Sequence, residues 1–147
     1  MKPRAAWPVL VKKAQERCEQ AQAELVKARE RVKSLETSRA RMDKLYNDYV
    51  DKCKAAEQQA QSITVTQSYR NFIQQLQTLI QRVDLDVSTA RQQLNFCRQA
   101  LLAADKKRLQ MQTLMDKDLD RVKAYRRKKE QLELDAAGVM LCNVRHS

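Results

Sequence analysis

Cysteine, histidine and paired carboxylates are the side chains that most often do chemistry, and in this sequence none of them is spaced for it. Cys18, Cys53, Cys97 and Cys142 stand 35, 44 and 45 residues apart, unlike any C-x-x-C metal or redox pattern. The one histidine, His146, has no second imidazole with which to share a metal. The one glycine, Gly138, cannot build a phosphate-cradling loop, and Asp84 and Asp86 read as surface charges. We therefore expect no catalytic residue, no metal and no cofactor. The reactive groups that do cluster are cations: Arg121, Lys123, Arg126, Arg127, Lys128 and Lys129. Their chemistry is attraction to acidic surfaces rather than bond making.

The elements that carry these groups follow from composition and period. Charged residues reach 32% and aromatics only 5%, and both prolines (Pro3, Pro8) lie at the start. Ala, Gln, Leu, Lys, Arg and Glu dominate, all side chains that lose little rotamer freedom in a helix. Val11, Ala14, Cys18, Ala21, Leu25, Ala28, Val32, Leu35, Arg39, Met42, Tyr46, Tyr49, Cys53, Ala56, Ala60 and Ile63 recur in steps of three and four. Only Arg39 among them is charged. A second seam restarts at Tyr69 and runs through Ile73, Leu76, Ile80, Val83, Val87, Ala90, Leu94, Cys97, Leu101 and Ala104 to Val139, interrupted by Arg108, Asp118 and Lys129. An apolar repeat of 3.5 residues held this long predicts a left-handed coiled coil. Three of the four cysteines fall on these seams, where a thiol acts as a small hydrophobe.

Between the seams lies SITVTQS, residues 62–68. The first seam, continued, would meet Gln67, Arg70, Gln74 and Gln77, so the sticky face changes phase there. A lone strand has nothing to pair with, and Ser and Thr can end one helix and cap the next. The chain is expected to be all-α, one antiparallel coiled-coil hairpin. Its first helix spans about 9–61, its turn about 62–68 and its second helix about 69–137, before a flexible C-terminal tail. Folding near residue 66 pairs positions whose numbers sum to about 132, placing Val11 near Arg121. Each arm is then on the order of 80 Å long, and the second helix outruns the first with the basic cluster on its overhang. No two cysteines face each other on this register, so no disulfide is expected.

Lys and Arg outnumber Asp and Glu by 29 to 18, a net charge of +11 shared by both halves. This suits solvated coiled-coil flanks or an acidic partner. Nucleic acid is not expected, since no recognition motif is present. No apolar run approaches a membrane span of about 20 residues, and the opening MKPRAAWPVLVKK is a poor signal peptide; a cytosolic location is expected. Near the bend, Leu45, Val50, Phe72 and Leu79 widen the apolar stripe beyond what a two-stranded seam covers. Such a patch suits docking on another protein, thicker packing near the turn, or a second copy.

With LYNDYV followed some twenty residues later by YRNFIQQLQTLI, the sequence resembles the FliJ family of bacterial flagellar export proteins over essentially its full length. That resemblance implies a non-catalytic stalk of the flagellar type III export apparatus, similar in architecture to the γ subunit of rotary ATPases. The implied partners are the hexameric export ATPase, the large membrane subunit of the export gate, and export chaperones that it helps recycle. The implied location is cytoplasmic, peripheral at the inner face of the inner membrane. Carried over position by position, the gate-contacting surface comprises Ser38, Met42, Leu45, Tyr49, Phe72, Leu76, Leu79 and Val83. The end carrying both termini would enter the ATPase ring, with Arg121, Lys123, Arg126, Arg127, Lys128 and Lys129 as its contact set. The alternatives are the equivalent stalk of a virulence-type secretion system and a generic coiled-coil scaffold or chaperone.

Overall fold

The computed structural model describes residues 6–146. Residues 1–5, the first part of the opening MKPRAAWPVLVKK, and residue 147 lie outside the described residues, as does the side chain of His146. Two helices account for nearly all of it: α1, Ala6–Gln58, and α2, Ile63–His146. They pack against each other as an antiparallel hairpin, and no strand occurs among the described residues.

The reversal is shorter and earlier than its β-branched sequence suggests. It occupies residues 59–62, and Ile63-Thr64-Val65-Thr66 forms the first turn of α2. α1 ends with Gln61 N–H donating to Ala56 C=O at 3.1 Å and Ala60 N–H to Glu57 C=O at 3.3 Å, a Schellman closure of the last carbonyls. Ala60 adopts φ 51°, the left-handed conformation that usually falls to glycine. Ser62 then caps α2, its Oγ accepting from Val65 N–H at 3.4 Å. Thr66 and Ser68 turn their hydroxyls onto the carbonyls of Ser62 and Thr64. Poor intrinsic propensity costs these residues a few tenths of a kcal/mol each, which one cap and a continuous ladder offset. Two substitutions of opposite sign test this account in thermal melts. Ala60→Gly should raise stability by about 0.5–1 kcal/mol through relief of the left-handed alanine, and Ser62→Ala should lower it by about 1 kcal/mol.

The chain divides into two compact units, Ala21–Leu101 and Met1–Gln20 with Leu102–Ser147. In the first, Leu25, Val32, Ala90, Leu94 and Cys97 are buried together, with Ala28, Leu35 and Leu101 packed against them. The layers pair a with d: Leu25 with Cys97, Val32 with Ala90 and Ala28 with Leu94 carry numbers that sum to 122. The sum of about 132 expected from the sequence is therefore displaced. Knobs-into-holes packing places a against d only at registers one heptad apart, here 122 or 129, and 132 satisfies neither. Arg39 discriminates between the two. At 122 its guanidinium Nε meets Asp84 at 2.6 Å; at 129 the same relation would bring it to Arg91. A charged residue at an a position thus selects the register.

In the second unit, Ala14 and Cys18 are buried on α1. Cys18 Sγ lies 3.9 Å from Asp105 Oδ1, and Arg108 donates to the same oxygen from Nε (3.1 Å) and Nη2 (2.8 Å). Asp105 thereby holds the Arg108 guanidinium charged beyond its usual range. On α2, Asp118 accepts from Arg121 Nη2 at 2.7 Å, and Asp118 and Val122 are the last buried residues. From Lys123 to Arg145 every residue is exposed. The expected overhang is present, but it is helical to His146 rather than ending near 137. Gly138 sits inside that helix with open space around it, and one interior glycine costs only about 1 kcal/mol. All four cysteines are free thiols.

Candidate functional site

The eight residues that the family resemblance singles out near the turn lie on one side of the turn-bearing unit. Ser38, Met42, Leu45 and Tyr49 repeat at i, i+4, i+7 and i+11 on α1, and Phe72, Leu76, Leu79 and Val83 do so on α2. This spacing gives each set one helix face. Ser38 and Leu45 occupy g positions of α1, Phe72 and Leu79 g positions of α2, and the remainder are d. In an antiparallel pair g faces g, so the eight residues line a common edge. Burial separates them sharply. Leu45 and Leu79 are exposed, at 39% and 48%, whereas Leu76 is 4% exposed and belongs to the seam. Ser38, Met42, Tyr49, Phe72 and Val83 are half-buried.

Tyr49 explains the intermediate state of its neighbours. Its ring lies 4.4 Å from Phe72 and 6.0 Å, edge-on, from Tyr69, with the Lys52 ammonium 4.8 Å above it. Aromatic pairs of this geometry add roughly 0.5–1.5 kcal/mol beyond area burial. They fix one face of each ring inside the hairpin and leave the other open. The e edge opposite is closed by charge: Arg91 meets Glu36 at 2.7 Å, Arg70 meets Glu57 at 2.5 Å, and Gln77 donates to Tyr46 Oη at 3.2 Å. Arg39 bridges Asp84 and, at 2.8 Å from Nη1, Asp43. The two carboxylates hold its guanidinium charged beyond the usual range. Exposed pairs of this kind contribute little stability; their effect is to make one edge ionic and the other apolar.

All of the basic contact set but Arg121 lies on the overhang. Arg121 is engaged by Asp118, while Lys123, Arg126, Arg127, Lys128 and Lys129 are exposed. Tyr125, Leu132 and Val139 continue the seam beyond α1 at 46%, 61% and 60% exposure, uncovered. Sequence reasoning passed over Phe96 and Leu85 on the outer face of the turn-bearing unit, and Leu102 on α2 of the other, all strongly exposed. The available signal was that all three fall off the a/d phase. No cluster of His, Cys, Asp or Glu that could hold a metal ion occurs among the described residues, and no helix there is long and apolar enough to cross a membrane.

Two long helices packed as a hairpin along seams of this period define a coiled-coil protein. The family model described as Flagellar FliJ protein matches residues 8–147. The chain belongs to the FliJ family and is a flagellar export-related component. No curated protein and no solved structure matches it.

Proposed function

We propose that this chain is the non-catalytic stalk of the flagellar type III export apparatus. It associates with the hexameric export ATPase, promotes its assembly and turnover, and links it to the membrane subunit of the export gate. It works from the cytoplasm at the face of the inner membrane and assists the recycling of export chaperones. The observation that carries the reading is the helical overhang, exposed from Lys123 to Arg145 and beginning with five exposed cations within seven residues, Lys123 to Lys129. A single basic helix is narrow enough for the hole of a ring, and its charge steers it toward acidic walls. The Leu45 and Leu79 edge supplies the contact for the gate.

The test is steady-state ATP hydrolysis by the purified export ATPase with and without this chain. Wild type should raise turnover and the fraction of hexamer. Changing Arg126, Arg127, Lys128 and Lys129 together to Ala should weaken that effect by about 10-fold at low salt, the effect of losing roughly 1.4 kcal/mol of attraction. Wild-type chain that leaves both hexamer fraction and turnover unchanged would remove the stalk role.

A further inference from the structure

We propose that the overhang, from Tyr125 to Ala136, pairs antiparallel with the same segment of a second copy of this chain. Three observations carry this. The seam stays buried as far as Val122 and continues exposed through Tyr125, Lys129, Leu132 and Ala136, so the new contact prolongs the buried stripe of α2. In the antiparallel arrangement that sets a against d, Tyr125 meets the second copy's Ala136, and Lys129 meets its Leu132. Four ion pairs then form against one like-charge contact, Glu133 with its own copy across the two-fold axis, by the relation Glu36 and Arg91 make within the chain. The g residue Lys128 faces the g residue Asp135 of the other copy, and the seam residue Lys129 reaches its e residue Glu133.

That last relation, an a cation with an e carboxylate one position past its layer partner, is the one Arg39 and Asp84 already make within the chain. Two-fold symmetry repeats each pair, giving four. Lys128, Lys129 and Glu133 take part in no ion pair among the described residues, and Asp135 accepts only from Gln131, at 3.1 Å. A parallel pairing is disfavoured, because it stacks Lys129 on Lys129 in the seam and keeps only Lys128 with Glu133 as an ion pair, leaving Asp135 opposite Met140. With about two heptads of overlap the association is weak and reversible, and it occupies the cations assigned above to the ATPase.

Light scattering on the isolated chain should show the average mass climbing from 17.1 kDa toward twice that value between about 10 µM and 1 mM. The double variants Lys128→Glu/Lys129→Glu and Glu133→Lys/Asp135→Lys each place like charges opposite, and each should weaken self-association by at least about 10-fold. Mixed together, they should dimerise again, which also shows that both still fold. In a Cys142→Ser background, Tyr125→Cys mixed with Ala136→Cys should form a disulfide between the two variants and none within either. A chain that stays monomeric throughout, charge variants that fail to recombine, or disulfides within each cysteine variant would overturn the proposal. So would a monomer that instead floats with phosphatidylglycerol vesicles, since the stripe would then face lipid. No export component enters the experiment, so its failure leaves the stalk reading standing, and failure of the ATPase assay leaves this one standing.

Discussion

Leu94→Ala should lower the unfolding free energy by about 3 kcal/mol, read from thermal melts followed by circular dichroism. Leu94 is 8% exposed and packs among Leu25, Val32, Ala90 and Cys97. Its layer partner is Ala28, so truncation sets alanine against alanine and leaves a gap that neither helix can close without moving its backbone. A two-helix seam has no second layer behind it to collapse inward. Because domain stability is itself only about 5–15 kcal/mol, such a loss should shift the melt by many degrees. Leu102→Ala is the matching control, since Leu102 is 71% exposed, and it should change stability by no more than about 0.5 kcal/mol. Equal melts for the two variants would mean that the seam is not what holds the helices together.

The second large effect concerns recognition rather than stability. If the proposed gate contact holds, Leu45→Asp with Leu79→Asp should weaken binding to the export-gate subunit by at least about 100-fold, as hot-spot side chains commonly contribute 2 kcal/mol or more each. Helicity should be unchanged, because both leucines already face solvent. Leu76→Asp should behave differently, burying a carboxylate in the seam and unfolding the turn end. Phe72→Ala falls between the two, since half of that ring is engaged by Tyr49. Isothermal titration against the gate's cytoplasmic domain separates these cases. Unchanged affinity in the Leu45/Leu79 variant would move the docking site elsewhere.

The site was legible only in part. The eight residues near the turn, named from the family resemblance, share one helix edge by their spacing. Seam phase ranks them in part, because d residues point into the partner helix while g residues flank it, and Phe72 at g still reaches Tyr49 across the pair. Leu76 falls on the seam and is buried, and Leu79 falls beside it and is exposed, as the phase of the repeat leads one to expect. The overhang was foreseen from unequal seam lengths, but its extent was not. The second helix was expected to end near 137, whereas it runs on through Gly138 to His146.

The sequence by itself determined the two seams, the hairpin and the absence of any spacing suited to catalysis. Each of these rests on local periodicity and residue type, which hold whatever the chain packs against. Only the tertiary structure decided where the chain turns and in which register its helices meet. Propensity differences around residues 59–68 amount to tenths of a kcal/mol, whereas a shift of one heptad moves every layer of the seam and sets Arg39 against either Asp84 or Arg91. The larger energy chooses, and it is summed over contacts between residues far apart in the chain.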